Sequence, residues 1–345
     1  MLKLDCFRAG KGDSFLLTWN GEGRHRLLID AGNQNTYRFL KSIVQDFGKD
    51  DTILVTHVDY DHVGGFFKWL SDKETTLNPA LRVFMNTPQL VFAPSDSDLV
   101  GVDHGVKLEE LLFSRGIQCT PLYLDQYNDN SITMHGLKLQ ILSPKKEVID
   151  RLISKWNANE IYQQYEQARN QVNNMVAVRD ELLIERNHIL SNQPVPHDWE
   201  IDLLNASSIA FILEYQDFRL LFLGDSNPQL ICDELERKGH TKEYKLEIDL
   251  FKISHHGSKH NTTKDLLERI KCSKYLISTD GSGPYYHPSR ETLILISTYG
   301  RISDDYPITI YSNYALPLDK LLTREEQETL NLDFQVIQFL NFPEE

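Results

Sequence analysis

Four times along this chain an apolar β-type run ends in a turn dense with groups able to hold a metal. DTILV leads into T56-H57-V58-D59-Y60-D61-H62-V63-G64-G65, LLFL into Gly224-Asp225-Ser226, FKIS into His255, His256 and His260, and LIST into a Gly/Pro turn that ends at His287. Ligand sites of α/β sheets lie outside the carboxyl ends of the strands. The repeated pattern therefore favours folds that bring these strand ends together at one sheet edge. Of the 12 histidines, half lie in those segments, so the pattern concentrates chemistry as well as structure.

The rest of the chain reads as alternating strands and helices. LLTW and RLLIDAG predict a hairpin around Asn20 to Gly23. YRFLKSIVQDFG has helical spacing up to Gly48, DTILVTH is a buried strand, and a helix runs from Asp61 through GGFFKWL. RVFMN, VKLEELLFSRG and LKLQILSP read as strand, helix and strand. Residues 145–190 lack Gly and Pro and are dense in charge and amide, as a surface or partner-facing helix pair would be. After SNQPVPHDW the pattern resumes: strands SSIAFILEY, FRLLFLGD, EIDLFKIS and KYLIST alternate with helices PQLICDELERKG, TKDLLERI and one opening at Pro288, before terminal strands PITIYS and FQVIQFL. The expectation is an α/β core with helices covering sheet faces, one domain over 1–345 with a helical insertion at 145–199.

Composition narrows the classes. Lys and Arg number 36 against 50 Asp and Glu, a net charge of −14, which disfavours a broad basic nucleic-acid surface. The four cysteines are far apart, without a C-x-x-C pair, so neither a disulfide framework nor a thiolate zinc site is expected. The N-terminus lacks signal-peptide character, and no apolar run approaches the roughly 18 residues of a membrane span. The expectation is a cytoplasmic chain without a membrane partner.

His57, Asp59, Asp61 and His62 put four imidazole and carboxylate donors within six residues. That donor set suits Zn²⁺ or Mn²⁺, as one or two divalent ions. Asp-rich turns also cap helices, and histidines also sit on plain loops, so Asp225, the His255–His260 run and His287 are each ambiguous when taken alone. Asp225 in particular could simply cap the helix opening at Pro228. His104, His135, His188 and His197 fit no ligand pattern.

HVDYDH resembles the H-x-H-x-D-H signature of the metallo-β-lactamase fold superfamily, with Asp59 in place of the second His. GKGDSFLL, LLIDAG, NASSIAFILEY, LLFLGDS, FKISHHGSKHNT and YYHPS are similar, in order, to the motifs of its ComEC-type branch, which includes the nuclease domain of the bacterial DNA-uptake channel. The resemblance covers about 1–145 and 200–300 and implies an αββα sandwich. It further implies that His57 and Asp59 hold one metal, Asp61 and His62 another, that Asp225 bridges them, and that His287 completes the second site. His255 or His256 would protonate the leaving group, and Asp30 would orient the His loop. The third-motif His of the family is absent; Asn205, Ser207 and Ser208 stand there.

The implied activity is metal-dependent phosphodiester hydrolysis. Asp61 and Asp225 would position the nucleophile, while Asn205, Ser208 and Lys259 contact phosphate oxygens. The nuclease-branch resemblance implies DNA or RNA as substrate, and the occurrence of similar stand-alone proteins in bacterial anti-phage gene clusters allows a defence role. The acidic balance keeps other readings open: a small substrate such as a cyclic nucleotide, a phosphocholine-like ester or a lactone; a protein partner docking on 145–190; or a non-catalytic metal-binding module. Arg24, Arg26, Lys145, Lys146, Lys252 and Lys259 are the basic residues nearest the motif loops.

Overall fold

Side-chain alternation decides how the first strand sits. In β1 (Leu2–Cys6), Leu2, Leu4 and Cys6 are buried while Lys3 and Asp5 face outward. β2 (Phe15–Gly21) and β3 (Gly23–Ile29) carry apolar residues on both faces, because one face meets a second sheet and the other meets helices. The computed structural model describes residues 1–21, 23–75, 77–86, 104–155, 183–283, 285–303 and 306–343.

The first sheet continues through β4 (Thr52–Leu54), β5 (Arg82–Phe84) and β6 (Cys119–Thr120). The second contains β7 (Ser131–Met134), β8 (Leu137–Ser143), β9 (Ala210–Tyr215), β10 (Phe218–Phe222), β12 (Leu250–Lys252), β14 (Lys274–Ile277), β15 (Ile308–Ser312) and β16 (Leu332–Val336). β17 (Phe339–Phe342) returns to the first sheet beside β1, and β11 (Leu246–Glu247) pairs with β13 (Ile270–Lys271) in a small third sheet. The strand orders are β17-β1-β2-β3-β4-β5-β6 and β16-β15-β14-β12-β10-β9-β8-β7. In both sheets an antiparallel part gives way to a parallel one, beginning at β3–β4 and at β10–β12.

Helices α1 (Tyr37–Val44), α2 (Tyr60–Ser71), α3 (His104–Ser114), α4 (Lys146–Lys155), α5 (Arg186–Ser191), α6 (Leu203–Ala206), α7 (Pro228–Arg237), α8 (Lys264–Glu268), α9 (Arg290–Tyr299) and α10 (Arg324–Thr329) complete the described elements. Leu28, Ile53 and Val55 pack with α1 and α2 on one outer face. Leu221, Phe251 and Ile277 pack with α7, α8 and α9 on the other. Between the sheets lie Leu4, Phe15, Leu27, Phe211 and Phe222, where the Phe15 and Phe222 rings meet edge to face at 5.2 Å. Four layers result, an αββα sandwich.

Several strands differ from the sequence expectation. LKLDC is a strand although short, because β2 and β17 flank it. EIDLFKIS splits into β11 and β12, which enter different sheets. FQVIQFL lies within a stretch that likewise forms β16 and β17, and the chain crosses from one sheet to the other between them. Within 145–199, the described residues form helices α4 and α5, while 156–182 lie outside the described residues. Among the described residues no helix is long and apolar enough to cross a membrane.

Candidate metal centre

The four motif turns meet at one end of the sandwich, though not on one sheet. His57 to His62 follow β4 of the first sheet, whereas Asp225, the His255–His256 pair and His287 follow β10, β12 and β14 of the second. A backbone hydrogen bond from Ile209 N to Thr56 O, 2.8 Å, ties the two edges beside the cluster.

α2 sorts the HVDYDH residues. Asp59 is its N-cap by backbone, but its carboxylate makes no capping bond. His57 and His62 are fully buried, while Asp59 and Asp61 keep 24% and 39% of their side chains exposed. Histidines thus form the floor and carboxylates the rim. The second turn works differently: Asn227 caps α7 through its side chain, which leaves Asp225 free of that duty. Gly224 adopts φ +53°, and Asp225 N donates to Ser208 Oγ at 3.2 Å. The buried Asp225 carboxylate is thereby aimed at the histidines.

Asp225 Oδ2 lies 3.5 Å from His62 Nε2, 3.6 Å from His255 Nε2, 3.7 Å from His256 Nε2 and 3.9 Å from His57 Nε2. His57 Nε2 is also 3.7 Å from Asp59, and His256 Nε2 is 3.5 Å from Asp61. The opposite ring nitrogens are occupied. His62 Nδ1 donates to Asp30 Oδ2 at 2.7 Å, and His256 Nδ1 to Ser278 O at 2.9 Å. Thr56 Oγ1 gives its proton to Asp30 at 2.6 Å, so at 3.1 Å it accepts from His57 Nδ1. In the neutral rings each Nε2 is therefore the lone-pair nitrogen. Nε2 of His57, His62 and His256, with Asp225 Oδ1, are buried without a hydrogen-bond partner.

Unpaired buried donors and acceptors are costly, and four converging on one point fit a bound cation. Two groupings have the required closeness: His57, His62 and Asp225, and Asp61, His62 and His256. A third, Asp13, Asp30 and His62, uses the inward side of the same imidazole and is engaged by the Asp30 bond. The nitrogen and oxygen donors suit Zn²⁺ or Mn²⁺ chemistry.

The electrostatics point the same way. Burial pushes the Asp225 carboxyl up, but His255, His62 and His256 outweigh it and hold the group well below its usual range. Burial pulls His62 down, yet Asp225 and Asp30 raise it well above an ordinary imidazole; His256 is likewise pushed up to about 9 against its burial by Asp225 and Asp13. The carboxylates require positive charge in this space, whether protons on imidazoles or a divalent ion.

His255, His256 and Gly257 all have positive φ, at 47°, 54° and 89°. Such backbone costs energy for residues with a Cβ and concentrates at functional sites. A Cβ on Gly257 would sit 2.6 Å from Pro288 Cβ. His255 differs from its neighbour, being the more open of the two. Asn261 Nδ2 donates to the carbonyls of Asp225 and Ser226, so its Oδ1 turns to His255 Nδ1 at 3.2 Å.

The other expected residues fall around this centre. His287 is outside the close groupings; its ring stands edge-on to His255, centroids 5.6 Å apart, and its Nδ1 is buried without a partner. Burial, then His255 and His256, push its imidazole well down. Asn205 donates to Asp202 at 2.9 Å and leaves its Oδ1 unpaired. Lys259 pairs with Glu291 at 3.0 Å. His260 turns away to Val195 O and lies tilted against the His197 ring, centroids 4.1 Å apart.

Lys252 is a correction to the sequence reading, since it is wholly buried and ion-paired with Asp13 rather than available at the surface. That pair joins the β1–β2 loop to β12 directly beneath His256. Asp13, Thr56, Asn261 and Ser278 were not singled out by sequence reasoning. Asp13 had a signal, the Gly-Lys-Gly-Asp turn between two strands; Ser278 acts through its carbonyl and had none.

No protein-family model and no curated protein sequence matches this chain. Among solved structures it is similar to the metallo-beta-lactamase fold protein YhfI from Bacillus subtilis, with 9% identity, 99% of this chain and 100% of that one covered, and a TM-score of 0.46. It is also similar to a diphosphatase from the PhnP family, with 10% identity, coverage of 99% and 98%, and a TM-score of 0.43. A third is Zn(2+)-bound PqqB from Methylobacterium extorquens, with 8% identity, coverage of 99% and 100%, and a TM-score of 0.43. With TM-scores below 0.5, none of these likenesses bears on what the chain does.

Proposed function

We propose that the chain is a metal-dependent hydrolase, a phosphodiesterase of the ComEC-like kind acting on DNA or RNA. The observation that supports this best is the convergence of four imidazole Nε2 atoms on Asp225 Oδ2 within 3.9 Å. His57, Asp59 and Asp225 would hold one ion, and Asp61, His62 and His256 another, with Asp225 shared. Divalent ions there supply charge neutralisation for a phosphoryl centre.

The chain's own residues do the rest. Asp61 and Asp225 orient the attacking water by accepting its hydrogen bonds. His256, locked by Ser278, serves as a donor to metal. His255 is the proton donor: its Nδ1–H is spent on Asn261, and its Nε2–H, when charged, faces the space beside Asp225 where a leaving oxygen would stand. Ser208 acts by holding Asp225. The test is hydrolysis of single- and double-stranded DNA, RNA and small phosphodiesters with Mn²⁺, Zn²⁺ or Mg²⁺, by wild type and Asp61→Ala. Undiminished cleavage by the variant would remove the assignment.

A second reading, hydrolysis of a small ester, has its own support. Arg26, Lys145, Lys146, Lys252 and Lys259 are paired with Asp51, Asp233, Asp150, Asp13 and Glu291. These cations offer little free charge to a long polyanion. Polymer cleavage should weaken steeply with salt, whereas small-ester hydrolysis should not.

A further inference from the structure

Beyond the phosphate-cleaving centre, a line of rings leads outward. His255, 3.6 Å from Asp225, stands edge-on to His287 at 5.6 Å between centroids, and Tyr285 lies parallel to His287, 5.8 Å away with planes 7° apart. Tyr285 ends this line and is 59% exposed. Burial of its hydroxyl and the negative charge of Asp59, Asp202 and Asp61 push the phenol up. Much of the ring stays open to solvent.

On the reading of the site as a phosphodiesterase, we propose that Tyr285 is the stacking surface for a nucleobase attached to the scissile phosphate. A flat aromatic ring recognises any base through its π-face, which gives affinity for nucleotides without demanding a sequence or a long basic groove. That combination reconciles a phosphate-cleaving centre with an acidic chain whose nearby cations are mostly paired. The loop placement fits: Tyr285 and His287 share one turn after β14, so a base on Tyr285 keeps its phosphate near the histidines. Asp59 and Asp61 would be neutralised by metal, leaving Asp202, which already accepts from Asn205.

The experiment compares thymidine 5′-(4-nitrophenyl phosphate) with methyl 4-nitrophenyl phosphate and 4-nitrophenyl phosphocholine on Mn²⁺-loaded full-length protein. Leaving group and chemistry are the same, so the kcat/KM ratio reads recognition of the other substituent. Wild type should favour the thymidine ester about ten-fold or more, Tyr285→Phe should keep that ratio, and Tyr285→Ala should bring it close to one. Calorimetric binding of thymidine 5′-monophosphate against inorganic phosphate gives a second readout, with the same expected order among the three proteins. Equal loss on all esters, an unchanged ratio in Tyr285→Ala, or preference for the phosphocholine ester would overturn the assignment of Tyr285. Absence of all hydrolysis with intact Tyr285-dependent nucleotide binding would instead overturn the phosphodiesterase reading alone.

Discussion

Asp225 Oδ2 stands 3.5 Å from His62 Nε2, and the other nitrogen of that imidazole is held at 2.7 Å by Asp30. Two carboxylates from different sheets therefore clamp one buried ring, one on each nitrogen. Asp30 fixes the ring and Asp225 shares the space into which its lone pair points. Asp225→Asn should reduce metal content by at least one equivalent in mass spectrometry of the purified protein. It should also lower hydrolysis by about 100-fold, since on the proposed reading Asp225 is shared by both ions. Wild-type metal content in the variant would argue against a shared role.

Asp30 acts at one remove. Asp30→Asn keeps the shape but weakens the bonds to Thr56 and His62. Metal affinity should drop about 10- to 100-fold, as for other outer partners of ligating histidines. A competition titration with a chromophoric chelator measures this directly.

His255 and His256 should separate by phenotype. His255→Gln should retain metal and lose about 10²- to 10⁴-fold in rate on esters with alkoxide leaving groups, with a smaller loss for 4-nitrophenolate, which departs without a proton. His256→Gln should lose metal. Rates on the two ester types, paired with metal analysis, distinguish the roles.

Gly12 abuts the centre without contributing a side chain: a Cβ there would lie 1.7 Å from Asp61 O. Gly12→Ala must displace the first turn of α2 or the β1–β2 loop. Lower metal occupancy and a reduced melting temperature should follow, read by metal analysis and calorimetry.

Away from the centre, Arg290 forms a two-bond pair with Glu326, each bond 2.7 Å, joining α9 to the capping box of α10. Burial raises the Glu326 carboxyl, but hydrogen bonds from Arg290 and Thr323 hold it below its ordinary value. A carboxyl depressed in the folded state contributes stability that is present above its unfolded pKa and is lost as pH falls through the folded one. Glu326→Gln should cost about 3 kcal/mol at neutral pH, because the Arg290 charge loses its partner. The difference from wild type should shrink in acid, measured by denaturant unfolding across pH 2 to 7.

Sequence by itself determined the alternation of strands and helices and the donor-rich turns, because burial periodicity and strand-end chemistry are local properties of the chain. It also pointed to Asp30 and Asp225 through the motifs they share with a known fold. It could not separate EIDLFKIS into two strands or carry the terminal strand across from one sheet to the other, since pairing partners distant in the chain decide both. Nor could it tell a surface Lys252 from a buried one: the same residue type serves either place, and only Asp13 arriving from the opposite sheet makes burial tolerable. The tautomers of His62 and His256, and so the direction of their lone pairs, were likewise settled by Asp30 and Ser278, distant in the chain, while His57 is held by the adjacent Thr56, whose hydroxyl Asp30 fixes. Ligand identity is written in the chain, whereas ligand direction belongs to the tertiary structure, because hydrogen bonds between neighbouring strand-end turns orient the His62 and His256 rings.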